Sequence, residues 1–110
     1  MAYDVELADR VRELLATEPD VVEKRMFGGL AFMVAGHMAV GASGQGGLML
    51  RCDPARTDSL VEDPRASRMV MRGREMDGWL RIDVDADAPD DELGRWVAHG
   101  VDHVRSLPPK

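Results

Sequence analysis

Apolar positions along the chain change period more than once. Leu7, Ala8, Val11, Leu14 and Leu15 recur at the i, i+1, i+4, i+7, i+8 spacing of one helical stripe, with Arg10, Arg12 and Glu13 outside it. Asp4 stands where an N-cap is needed, and Pro19 where that helix must end. From Val22 the period is two. Residues 22–27 read as a strand, Gly28-Gly29 breaks it, and Leu30, Phe32 and Val34 then alternate with Ala31, Met33 and Ala35. Gly36-His37 reads as a tight turn into a third strand carrying Met38, Val40 and Ala42. Residues 44–47 turn into a fourth, with Leu48 and Leu50 on one face and Met49 and Arg51 on the other.

Asp53-Pro54 starts a short peripheral helix reaching about Val61. Residues 69–72 and 79–84 read as two further strands around a turn over 73–78. Pro89 and the acids Asp90, Asp91 and Glu92 open a last helix, where negative charge suits the helix dipole. Its stripe is Leu93, Trp96, Val97, Val101, Val104 and Leu107, and Pro108-Pro109 stops it. Gly100 lies beside that stripe, where close contact with a sheet would explain a residue that weakens a helix. The order α-β(4)-α-β(2)-α predicts a two-layer α+β domain over residues 1–110, an antiparallel sheet with helices on one face.

Apart from Met1, the methionines fall at positions 26, 33, 38, 49, 69, 71 and 76, all within the sheet. Methionine fills irregular cores, but strands two and three are apolar on both faces and helices can cover only one. A second copy or a partner chain would cover the other. Phe32, Met33 and Val40 are the candidate interface residues, and a homodimer is expected.

Charge narrows the picture. A net charge of -6 argues against a general nucleic-acid binder, which needs a basic field. The one local exception is the segment 65–74, where Arg65, Arg68, Arg72 and Arg74 are bracketed by Glu62, Asp63, Glu75 and Asp77. It is the less favoured, DNA-binding candidate. Cys52 is the single cysteine, which excludes an intrachain disulfide and fits a reducing, cytoplasmic location. The apolar run over 28–42 is too short to span a bilayer and is broken by Gly36-His37, so no membrane role is expected.

The candidate chemistry is thin. A phosphate-cradling loop needs glycines leading into a helix, whereas Gly28-Gly29 and the glycines of 41–47 lead into strands. The acids Asp83, Asp85 and Asp87 imitate half a calcium loop, but Ala88 and Gly94 stand where glycine and glutamate are required. His99 and His103 are one helical turn apart without an evident third metal ligand. Cys52 shares the parity of Leu48 and Leu50, as a half-buried, unactivated thiol would. No catalytic residue, metal or cofactor is expected. The alternative is a small-molecule or enzymatic site between helices and sheet near Trp79 or Trp96.

Three blocks carry a family likeness: "KRMFGGLAFMVAGHMAVG" at 24–41, "GREMDGWLRID" at 73–83 and "WVAHGVDHVRSLP" at 96–108. Together they resemble the N-terminal domain of the TfoX/Sxy competence-regulator family. That resemblance implies a two-layer fold like that of secretion chaperones, often dimeric through the sheet, and a non-enzymatic role as an accessory transcription or competence regulator acting through a protein partner. It also implies a stand-alone domain without the helical C-terminal domain of the two-domain members. The shared residues Met26, Phe27, Gly28, Gly29, Gly73, Met76, Gly78 and Trp79 are expected to be structural, placing the first hairpin against the last.

Overall fold

The computed structural model describes residues 3–26 and 28–108. Helix α1 (Val5–Leu14) is followed by strands β1 (Val21–Met26), β2 (Gly29–Val34), β3 (His37–Ala42) and β4 (Leu48–Arg51). A 3-10 turn (Pro54–Arg56) leads into the short helix α2 (Thr57–Leu60), then β5 (Ala66–Met71), β6 (Arg74–Ile82) and α3 (Asp90–Arg105). The strands form one antiparallel sheet ordered β1-β2-β3-β4-β6-β5. The fold is α+β, with the expected meander extended by a hairpin whose second strand lies beside β4.

The caps are those that the local sequence supplies. The Asp4 carboxylate accepts the Leu7 N–H at 3.1 Å, and the Asp53 carboxylate accepts from Ala55 at 2.9 Å. Leu7, Ala8, Val11 and Leu15 of the first stripe are buried, whereas Leu14 turns outward. From α3, Leu93, Trp96, Val97, Val101 and Val104 join Leu30, Phe32, Val34, Val40, Leu48, Leu50, Leu80 and Ile82 in the main core.

Four expectations needed correction. The β2–β3 turn sits on Ala35-Gly36, both with positive φ, one residue earlier than Gly36-His37. The last hairpin turns on Arg72-Gly73, again both positive, so β6 runs back to Arg74 and the supposed 73–78 turn is mostly strand. Met38 and Val40 do not share a face. Phe32 pairs with Val40 but Met33 with Met38, so Ala39 bulges out and inverts the parity. The first and last hairpins are also not adjacent, because β3 and β4 stand between them.

Gly100 earns its place in α3 by proximity. A Cβ there would sit 2.4 Å from the Ala39 carbonyl oxygen and 2.8 Å from Leu50 Cδ1. Helix backbone and sheet bulge touch with no side chain between them. Gly100→Val should therefore cost about 1–3 kcal/mol through overpacking, read as a lower denaturant midpoint, while Ala98→Val on the exposed face of the same helix should not.

A second node joins α2 to the sheet. The buried Thr57 hydroxyl donates to Pro54 O at 2.9 Å and accepts the Gly78 N–H at 2.8 Å. Thr57→Val leaves the Gly78 N–H unpaired, while Pro54 O keeps the Thr57 backbone N–H, and should cost about 1–3 kcal/mol, whereas Thr57→Ser should keep most of the stability. Equal denaturant midpoints for the two variants would refute this role.

Candidate functional site

The side of the sheet away from the helices carries its own small core. Ala31, Met38, Met49 and Met69 are buried there, with Met26, Met33 and Trp79 packed around them. The ladder shows why. Val22, Lys24 and Met26 on β1 face the same way as Ala31 and Met33 on β2, and Met49 and Arg51 on β4 share that side with Trp79 and Arg81 on β6. Across β5 and β6, Met69 opposes Met76 and Met71 opposes Arg74. The second face expected to lie bare is largely covered by its own long side chains. Exposed apolar surface on this face is concentrated at its edges, with Val22 62% exposed on β1 and Met71 36% exposed on β5.

The candidate interface residues divide. Met33 is on this open face and only partly buried. Phe32 and Val40 are fully buried in the main core beneath the helices, so the expectation that they form an interface is wrong. Alternation on β2 and the Ala39 bulge on β3 put both on the helix side.

The motif residues do structural work at separate places. Phe27 lies outside the described residues. Gly28 turns the chain and Gly29 lies against the β3 end, where a Cβ would meet Ala42 O at 2.1 Å. Gly73 completes the last turn. After Met76, three residues, Asp77, Gly78 and Trp79, oppose nothing on β5, because its pairing jumps from Arg68–Leu80 to Met69–Met76. Gly78 has φ +84°, and a Cβ there would come 3.0 Å from Pro54 Cγ. Its carbonyl accepts the Cys52 N–H at 2.9 Å. The bulge thus presents Trp79 beside Arg51, whose guanidinium stacks 5.3 Å from the ring centroid. Met26 of the first block and Trp79 of the second pack against the same open-face cluster from strands at a distance from each other.

Polar groups on this side were not singled out by sequence reasoning. Arg51 Nη1 approaches Nδ1 of His37 at 3.5 Å at the end of the sheet, where His37, paired with core Val34, turns to the helix side and its Nε2 lies 2.6 Å from Pro108 O. Arg81 donates to Gln45 Oε1 and Gly46 O, each at 3.0 Å, while its Nε is buried without a partner among the described residues. The signal was present: Arg51 shares strand parity with Met49, and Arg81 with Trp79.

The basic segment does not form a stripe. Arg65 is paired with Asp63 and Glu92, and Arg68 with Asp58 and Asp77. Trp96 is buried in the main core, with the Arg95 guanidinium 5.0 Å from its ring centroid. Beside α3 there is, however, a cleft of about 230 Å³ lined by Cys52, Asp53, Arg56, His99, His103 and Ser106, among others. The two histidines are half-buried there. Among the described residues no group of three or more His, Cys, Asp or Glu side chains is placed to hold a metal. Burial pushes the Cys52 thiol up, so it stays protonated and unreactive.

Both histidines titrate below their ordinary value. Burial is the main cause for each, reinforced by Arg56 and Arg95 at His99 and by Arg51 at His103.

A two-layer α+β domain with one helix-covered face and one methionine-lined face is the class that these features define. The sequence model of the TfoX N-terminal domain matches residues 13–104, and the chain belongs to that family. Comparison with curated proteins and with solved structures gave no match. Among the described residues, no helix is long and apolar enough to cross a membrane.

The histidine shifts carry a definite sign. A folded-state value below the unfolded one means that the neutral rings stabilise the fold above about pH 6.5, and that this is lost as pH falls through the unfolded value. Carboxylates held low by Arg12 at Glu23, and by the Arg65 N–H at Asp63, add losses only at more acid pH. The urea midpoint should therefore fall between about pH 7.5 and about pH 5.5, and fall less in a His99→Asn/His103→Asn variant. An identical drop in both proteins would exclude these rings as the source.

Proposed function

We propose that this chain is a non-enzymatic protein-interaction domain of a competence-related regulator, acting by docking another chain on the open sheet face. The observation that carries this is the makeup of that face. Met26, Met33 and Trp79 lie partly buried over the buried methionines Met38, Met49 and Met69, with cations set among them and exposed Val22 and Met71 on the two edge strands. Such surfaces suit partner binding because thioether side chains repack at little cost. Family membership supports a regulatory setting.

The homodimer expected from the sequence is one form of this docking. With Phe32 and Val40 in the core, Met33 is the candidate that remains at the surface. A second reading, a small-molecule site, is favoured by the cleft between the Asp53 turn and α3, where two neutral histidines and Arg56 converge. Its volume, about 230 Å³, is below the roughly 300 Å³ at which ligand pockets begin.

A photo-crosslinking amino acid at position 33, with position 98 on the outer face of α3 as control, separates the two readings in native cells. Protein adducts from position 33 and not from 98 are the expected result, and their masses tell a second copy from another protein. Equal or absent adducts at both positions would exclude the open face as a docking surface.

A further inference from the structure

Given the docking role proposed above for the open face, we infer that its occupant is an acidic, apolar peptide segment of another protein, with one carboxylate seated on Arg81. Ion pairing of the basic side chains is uneven, and Arg25, Arg56 and Arg72 outside the open face also lack an ion pair among the described residues. Arg10, Arg12, Arg65, Arg68, Arg95 and Arg105 each face a carboxylate. Lys24, Arg51, Arg74 and Arg81, the cations at open-face register positions, form no ion pair among the described residues. The strand acids fall elsewhere: Glu23 pairs with Arg12 of α1, Glu75 opposes Val70, and Asp77 turns to Arg68. In a chain of net charge -6, this face is a cationic exception.

Arg81 is the best-placed of the four. Two neutral oxygens, from Gln45 and Gly46, fix its guanidinium without neutralising it, and its buried Nε–H has no acceptor. A charged group so placed is stabilised by an incoming carboxylate more than an exposed lysine would be, because less water competes for it. It borders a groove of about 160 Å³ lined by Ser43, Met49, Met69 and Met71 as well. That volume takes one or two side chains rather than a drug-sized molecule. The groove opens toward β5, an edge strand with Val70 and Met71 exposed. An anchor acid flanked by apolar residues matches both its charge and its walls. A second copy matches less well, since face-to-face docking would set these same cations against themselves.

Selection from a random twelve-residue peptide library displayed on phage, run in parallel on the wild type and on Arg81→Gln, tests this. The wild type should enrich peptides with Asp or Glu among apolar residues. Their synthetic forms should shift the amide signals of Met49, Met69 and Arg81, and should lose about tenfold or more in affinity on Arg81→Gln. Arg81→Lys should retain part of that affinity, and unchanged amide spectra elsewhere would show that both variants are folded. Enriched peptides without acids, equal affinity for Arg81→Gln, signals moving on another surface, or no enrichment would overturn the inference. So would a dimer in sedimentation that Met33→Asp dissolves, because the face would then belong to a second copy. Cross-links at position 33 without any dependence on Arg81 would leave the docking role standing and remove only the acidic segment.

Discussion

The rest of the structure depends on one backbone-to-backbone contact, that of Gly100 with the Ala39 bulge. Helix α3 is the larger of the two helices covering the main core, and it can lie flat only where neither chain interposes a side chain. Glycine weakens a helix interior by about 1 kcal/mol relative to alanine. Here that cost is offset by burying Trp96, Val97, Val101 and Val104 around the contact. Just beyond the end of this helix, Pro108 O lies against His37 at the start of β3. The bulge that receives Gly100 also sends Val40 into the core and Met38 out to the open face. Helix docking and the identity of the open face are therefore set by the same residue.

Thr57 does comparable work at the other end. Its hydroxyl ties the 3-10 turn to the β6 bulge, where Gly78 has a left-handed conformation that a side chain would strain. Because Asp77, Gly78 and Trp79 are looped out from β5, the Trp79 ring can lie beside Arg51 on the open face while Leu80 remains in the core. The glycine-tryptophan pair of the family block thus has a mechanical meaning. Glycine permits the bulge, and the bulge aims the ring.

Strands, caps and both main helices were legible because their periods are clean: Leu30, Phe32 and Val34 alternate as a half-buried strand must, and the α3 stripe keeps helical spacing. What failed did so at bulges and turns, where the period is interrupted. Nothing in "GHMAVG" marks Ala39 as the extra residue, because it becomes extra only when α3 presses on it. The last hairpin turn was misplaced because Gly73 and Gly78 are both punctuating residues and only tertiary bonding to Thr57 assigns the second to a bulge. Phe32 and Val40 were read as interface residues because two apolar faces look alike in sequence. The helix-covered face takes most of the branched side chains with Phe32 and Trp96, whereas the open one takes the methionines with Trp79. The cleft around His99 and His103 was illegible for another reason: it joins residues about fifty positions apart through the packing of a turn on a helix.

The two faces also divide stability from recognition. On the helix side most arginines face a carboxylate, the large side chains are fully buried, and the charge left over is mainly acidic, as at Glu6, Glu13, Asp91 and Asp102, which form no ion pair among the described residues. On the open side, methionines shield one another while the cations among them have no opposite charge from the chain itself. An isolated cation at a half-buried position contributes little to folding and is costly to desolvate further without a partner. Its presence at several open-face positions is therefore better explained by what arrives from outside than by what the fold needs. Because Leu, Val and Trp side chains on the opposite face supply the main core, the open face can vary its side chains without dismantling the sheet. That separation lets a small domain keep one rigid layer for folding and one adaptable layer for a partner.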